Sequence, residues 1–261
     1  MPTTKEIERY LFSLAPKELA LDWDNVGLLA GRADKEIHSI LVALDITEEV
    51  VDEAIEQHAD LIVAHHPVMN CKWHPVQSVR DDTYQGRLLI KMIQKDIAGI
   101  CMHTNLDITS GGVNDALAEA LQLTQTQPLG ADGCGRIGFL ENEISLDAFL
   151  PEVYTALGCS GLRYVSAGKF VHKVAVGGGA CWDYHMDAME KGCDTFVTSD
   201  LSYHNFLDAK AMGLNVIDAG HFPTEDVVCA QVITWLKHAY PQIIVQKSTR
   251  HKEVFQYYLN K

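Results

Sequence analysis

The sequence predicts an α/β protein of two α/β lobes, each with a mostly parallel or mixed sheet flanked by helices. Three observations predict it. Short apolar runs alternate along the chain with segments whose apolar residues recur at helical spacing. The alternation comes in two series, separated by a polar stretch containing Pro and Gly. A chain of 261 residues with 47% hydrophobic and 21% charged residues is long enough for one large or two modest cores.

The elements follow in order. Met1-Pro2-Thr3-Thr4-Lys5-Glu6 opens a charged amphipathic helix rather than a signal peptide. Ser39–Asp45 reads as a strand, Glu48–Gln57 as a helix and Leu61–His65 as a second strand. Thr83–Lys95 carries Leu88, Leu89, Met92 and Ile93 at helical spacing, Ala98–His103 is a third strand, and Val113–Leu121 is a helix. This βαβαβ order implies parallel strands with helices on the sheet faces. Thr124–Gly133 is the expected linker, which sets lobes at residues 1–126 and 127–261. The second series has strands near Ile137–Leu140, Arg163–Ser166, Lys173–Val176, Thr195–Thr198, Asn215–Asp218 and Gln242–Gln246. Its helices fall near Ser145–Leu157, Tyr184–Lys191, Ser202–Met212 and Pro223–Ala239, with Pro151 expected to kink or shorten the first. The last helix and strand are also free to fold back onto the first lobe.

Bulk chemistry narrows the function. The net charge is −14, from 35 acidic against 21 basic residues. Such a surface repels a phosphate backbone, and no basic run offsets it, so nucleic acid is not an expected partner. The seven cysteines are scattered and form no Cys-x-x-Cys pair, which argues against a disulfide framework and a thiolate zinc cage. No apolar run reaches membrane-spanning length, and a reducing cytoplasmic setting is expected.

The strand ends carry the chemistry. In open α/β sheets, ligands bind at the carboxyl ends of strands. Here those ends bear Asp45, then His65-His66-Pro67, then His103-Thr104-Asn105-Leu106-Asp107; later come Ser199-Asp200 and Asp218-Ala219-Gly220-His221, with Glu225 four residues on. Neighbouring residues on an extended strand face opposite ways, so His65 and His66 are expected to serve two ions, or one ion and one substrate. His65, His66, Asp107, His221 and Glu225 form a nitrogen/oxygen donor set suited to zinc, iron(II), manganese or cobalt. Five donors exceed the needs of one catalytic ion, so two divalent ions per chain are expected, with Glu225 as the bridge. Paired ions acidify a shared water and polarise an electrophile, which is hydrolytic chemistry. His103 and His204 are the candidates for moving protons.

Other features have plainer readings. Gly177-Gly178-Gly179 lacks the dinucleotide-binding glycine pattern and suits close packing or a tight turn. Trp182, Tyr184 and His185 read as packing. Arg80, Arg87, Arg136 and Arg163 are the basic candidates for a phosphate group. His38, His58, His172, His238 and His251 lie in polar contexts and receive no role.

With these residues in hand, the chain resembles the GTP cyclohydrolase I type 2 homologue family, also called the interacting-factor-three-like family. The resemblance runs nearly end to end through Trp23-Asp24-Asn25-Val26-Gly27-Leu28, His65-His66-Pro67, His103-Thr104-Asn105-Leu106-Asp107, Thr198-Ser199-Asp200 with Tyr203-His204, and Asp218-Ala219-Gly220-His221 with Glu225. It implies a dinuclear metal site between two lobes, held by the same five ligands, and a toroidal homohexamer with sites facing an internal cavity. The resemblance is to the short form of the family, without the domain some members insert between the lobes. Ser199 stands where the family's Thr-Gly-Asp motif has glycine. The expected function is a metal-dependent hydrolase acting on a small-molecule nucleotide or related heterocycle. The alternative is a non-enzymatic metal-binding or metal-trafficking scaffold that engages partner proteins.

Overall fold

The computed structural model describes residues 1–72 and 74–258. Along the first part of the chain run α1 (Thr4–Leu14), β1 (Gly27–Ala30), β2 (Ser39–Ala43), α2 (Glu48–Glu56), β3 (Leu61–Ala64), α3 (Tyr84–Gln94), β4 (Ala98–Cys101) and α4 (Thr104–Ile108). Then come α5 (Val113–Ala120), β5 (Thr124–Pro128), β6 (Arg136–Ile144), α6 (Leu146–Leu157), β7 (Arg163–Val165), β8 (Val171–Val176) and α7 (His185–Glu190). The remainder holds β9 (Thr195–Thr198), α8 (Tyr203–Met212), β10 (Asn215–Asp218), α9 (His221–Glu225), α10 (Val228–Ala239) and β11 (Ile244–Lys247).

Residue chemistry accounts for the helix starts. Thr3 caps α1 in a capping box, its hydroxyl accepting from the Glu6 amide while the Glu6 carboxylate accepts from the Thr3 amide. Thr47, Thr83 and Ser145 cap α2, α3 and α6 with their hydroxyls, and Ser202 with Asn205 builds a second box at α8. Pro151 does not end α6; the helix runs on to Gly158, whose φ of +65° closes it.

The chain divides into two compact units, one comprising residues 1–109 and 229–252, the other residues 110–228 and the segment from Glu253 on. The boundary thus falls at the polar Thr109-Ser110-Gly111-Gly112 turn, not at residue 126. The expected linker contains β5, which pairs antiparallel with β6. All five of its residues are exposed, so it has neither the apolar run nor the alternation that marks a strand in sequence. Of the two placements left open for the last helix and strand, the first unit takes both.

The first unit's sheet has the order β1-β4-β3-β2-β11. β11, β2, β3 and β4 are parallel and β1 is antiparallel to β4. β3 and β4 are buried along their whole length. One of its cores packs Leu41, Ile62, Val50, Val51, Leu88, Leu89 and Met92 between sheet and helices. The second unit's sheet has the order β5-β6-β8-β9-β10-β7; β8, β9 and β10 are mutually parallel, β6 and β7 pair antiparallel to β8 and β10, and β5 pairs antiparallel to β6. Phe149 and Val153 of α6 and Leu117 of α5 fill its core against Val174, Val176, Val197 and Ile217. Both units are therefore mixed α/β layers. Among the described residues, no helix is long and apolar enough to cross a membrane.

Candidate metal centre

In the first unit the site grows from the carboxyl ends of β3 and β4. The regular strand stops at Ala64, one residue before the expected end. The amides of His65 and His66 both donate to the Leu44 carbonyl, at 3.1 and 2.9 Å. Two successive amides reach one oxygen only if the backbone bends, so the alternation of a strand no longer applies. The two imidazoles consequently sit 4.9 Å apart, centroid to centroid, instead of facing opposite ways. His103, which follows β4, joins them with its ring 5.1 Å from His65 and 5.5 Å from His66. Each of the three offers a ring nitrogen, and these atoms lie within 4.8 Å of one another.

The partners of these rings set their tautomers. His65 Nδ1 lies 2.8 Å from the Met102 carbonyl, which can only accept, so Nδ1 carries the proton and Nε2 the lone pair. His66 Nδ1 meets Asp45 Oδ1 at 2.8 Å, and His103 Nδ1 meets Asp24 Oδ1 at 2.9 Å. A ring that donates through one nitrogen to a carboxylate or carbonyl presents the other as a metal ligand, and the outer partner fixes its orientation. Asp107 comes from α4, a five-residue helix whose Asp107 amide donates to the His103 carbonyl. Its Oδ1 stands 3.6 Å from His65 Nε2.

Asp24 and Asp45 are held as carboxylates. Burial alone would raise both. For Asp24, the hydrogen bonds and charge of His103, with the hydroxyl and amide of Thr104, outweigh burial and bring it down to about 2. For Asp45, hydrogen bonds from His251 and His66 outweigh burial and hold it well below the ordinary carboxylate range. In the sequence Asp45 stands at a strand end and Asp24 lies in the Trp23-Asp24-Asn25-Val26-Gly27-Leu28 motif, and neither position alone signals a role. The strand-end position was the available clue for Asp45. His251 lies beyond every strand and offered none.

In the second unit, β10 leads into α9, which begins at His221 and ends at Glu225. The expected start at Pro223 is two residues late. Pro223 falls in the first turn, where helix amides have no intrahelical acceptor and its missing N–H costs nothing. A regular turn therefore does span His221 and Glu225, placing His221 Nε2 3.0 Å from Glu225 Oε2. His221 Nδ1 meets Asp200 Oδ2 at 2.7 Å. Burial disfavours an imidazolium there, but Glu225 and Asp200 overcome it and push the His221 pKa up to about 11. Asp200 takes a φ of +56°, an uncommon conformation for a residue with a side chain, at the position that orients this histidine.

The Gly177–Gly179 loop packs against the same group. The Gly178 amide donates to Asn114 Oδ1 at 2.9 Å and the Gly179 amide to Thr224 Oγ1 at 3.1 Å. A Cβ on Gly179 would collide with Glu225 Oε1, so the absence of a side chain is what lets the carboxylate stand where it does. Ser199 is buried beside this loop, its amide donating to the Gly179 carbonyl at 3.0 Å. His204 is exposed at the start of α8, its ring edge-on to Tyr203 at 5.5 Å. Trp182 and His185 stack at 4.3 Å as packing partners.

The arginines considered for a phosphate are committed elsewhere. Arg80 pairs with Asp82, Arg87 stands 3.7 Å from Glu48, and Arg163 pairs with Asp218. Arg136 is buried, binding both oxygens of Asp115 and the carbonyls of Gly133 and Gly135. Its charge is spent inside the fold rather than on a ligand.

Both groups of donors are imidazole and carboxylate, and each ring has one nitrogen fixed by an acceptor. The residues present therefore fit a divalent transition metal. The comparisons agree with the motifs. The model of the family described as Duf34/NIF3 (NGG1p interacting factor 3) matches residues 2–253. A Clostridium perfringens protein named GTP cyclohydrolase 1 type 2 homolog is 36% identical over 234 residues, covering 87% of this chain and 88% of its own. Among solved structures, a Bacillus cereus protein related to NIF3 is similar with a TM-score of 0.91 at 28% identity, covering 99% of each chain. Reduced HcgD from Methanocaldococcus jannaschii is similar with a TM-score of 0.81 at 30% identity, covering 94% of this chain and 97% of its own. From strand-end histidines to fold and family model, the chain belongs to the Duf34/NIF3 (NGG1p interacting factor 3) family.

Proposed function

We propose that the protein binds two divalent transition-metal ions and acts as a metal-dependent hydrolase on a nucleotide or related heterocycle. The observation that carries the reading is the convergence of His65, His66 and His103, with each Nδ1 engaged by an oxygen acceptor. In this reading the ligands are His65, His66, Asp107, His221 and Glu225. Glu225 would be the carboxylate shared by the two ions. Bound as a pair, such ions acidify a water and polarise an electrophile. His103, oriented by Asp24, moves the proton, and His204 is the alternative carrier. The names of the curated relatives support a heterocyclic substrate. The test is anaerobic purification with elemental analysis, then incubation of the loaded protein with GTP and a nucleotide panel. Turnover that is lost in Asp107→Ala supports the hydrolase; turnover that survives in Asp107→Ala sinks it.

A second reading, a metal-binding scaffold, is favoured by one observation: all four arginines considered for a phosphate face carboxylates of the protein. Readily exchanged ions, with no turnover of any substrate, would support it. In either reading we propose assembly as a homohexamer, checked by sedimentation at six chain masses.

A further inference from the structure

The segment after β11 is tied down with unusual thoroughness for a loop. Glu53 of α2, only 2% exposed, accepts from the Thr249 amide at 3.0 Å, the Thr249 hydroxyl at 2.8 Å and the Arg250 amide at 3.3 Å, and also from the Ser248 hydroxyl. The Ser248 amide donates to the Val42 carbonyl at 2.7 Å and its hydroxyl accepts from the His251 amide at 3.2 Å. A buried carboxylate that collects this many donors fixes a loop with little freedom. The residue so delivered is His251, whose side chain is 8% exposed.

His251 lands on Asp45. Its Nδ1 accepts from the Asp45 amide at 3.4 Å, which leaves the ring proton on Nε2, 3.2 Å from Asp45 Oδ2. The other oxygen, Oδ1, takes His66 Nδ1 at 2.8 Å. Asp45 is thus clamped between two imidazoles, one on each oxygen. A carboxylate with one partner can rotate about its bond to Cβ; one held at both oxygens cannot. The direction of His66 Nε2 follows from that clamp.

We propose that His251 is a positioning residue for the metal-ligating imidazole of His66, acting through Asp45, and that Glu53 anchors the segment that carries it. The proposal rests on the metal reading above, and the experiment separates the two. Co²⁺ binding to the full-length protein is followed by calorimetry and by the visible absorption of the bound ion. His251→Ala should weaken Co²⁺ binding about tenfold or more and alter the visible band, in line with losses of about 10–100-fold when outer-shell partners are removed. His251→Gln, which restores an N–H at similar reach, should recover most of the affinity. In an Asp45→Asn background, His251→Ala should cost less than about twofold, because a residue acting through another adds nothing once the intermediary is gone. Glu53→Gln, which leaves His251 itself unaltered, should weaken binding in the same direction. An unchanged affinity in His251→Ala would overturn the proposal, as would an equal loss in both backgrounds. Failure of the unaltered protein to take up Co²⁺ would overturn the metal reading, and the proposal with it.

Discussion

Replacing Asp24 by Asn removes a charge that the first unit has surrounded with donors. The Asp24 side chain is 0% exposed and accepts from the Asn25 amide at 2.8 Å, His103 Nδ1 at 2.9 Å, the Thr104 amide at 3.0 Å and the Thr104 hydroxyl at 2.5 Å. Against the burial that would raise it, His103 and Thr104 bring the carboxyl from 3.8 to about 2. A gap of this size corresponds to about 2.5 kcal/mol of folding stability at neutral pH. Because the folded pKa is depressed, the contribution is full above the unfolded value and is lost as pH falls through the folded one. Linkage places about half of it at pH 3. Urea denaturation of the metal-free protein, followed by circular dichroism at pH 7 and pH 3, is the assay. Asp24→Asn should be less stable by about 2–3 kcal/mol at pH 7, with the gap shrinking to about half at pH 3. Parallel stability curves for the two proteins across that range would refute the reasoning.

Three further outcomes are expected. Gly179→Ala, with its φ of +63° and a Cβ aimed at Glu225 Oε1, should lose about 1–3 kcal/mol and bind Co²⁺ more weakly, whereas Gly192→Ala, at φ +72° in open space, should leave Co²⁺ affinity unchanged. Because His221 holds its proton up to about pH 11 in the metal-free protein and an imidazole must be neutral to ligate, metal uptake at pH 8 should release a proton and strengthen as pH rises; calorimetry in buffers of different ionisation enthalpy measures it. Phe149→Ala, at 1% exposure in the second unit's core, should cost about 3–5 kcal/mol in urea denaturation, leaving the visible band of bound Co²⁺ in place.

Burial explains which parts of this fold can be read from sequence. β3, β9 and β10 are buried along their whole length, so their apolar runs stand out. β5 is an exposed edge strand of polar residues and is indistinguishable from a linker. β1 is only four residues long and lies antiparallel at the other sheet's edge, outside the βαβ rhythm. At the site, His65, His66, His103 and Asp107 were visible because strand ends are where open sheets place ligands. The bend at Leu44 that turns both histidines together was not, since it depends on a carbonyl from another segment. The same holds for Asp24 and His251, which reach their partners His103 and Asp45 across 79 and 206 positions of sequence. Long-range polar partners leave no periodicity to detect.

The return of α10 and β11 to the first unit has a consequence for synthesis. During vectorial production of the chain, β2 emerges as the outermost strand of an incomplete sheet, and it stays open until more than two hundred further residues have been added. An uncovered strand edge is a template for pairing with other chains. A nascent or truncated chain ending near Val228 therefore exposes the Ser39–Val42 edge that β11 covers, and shielding of that edge by a chaperone would matter most in this interval.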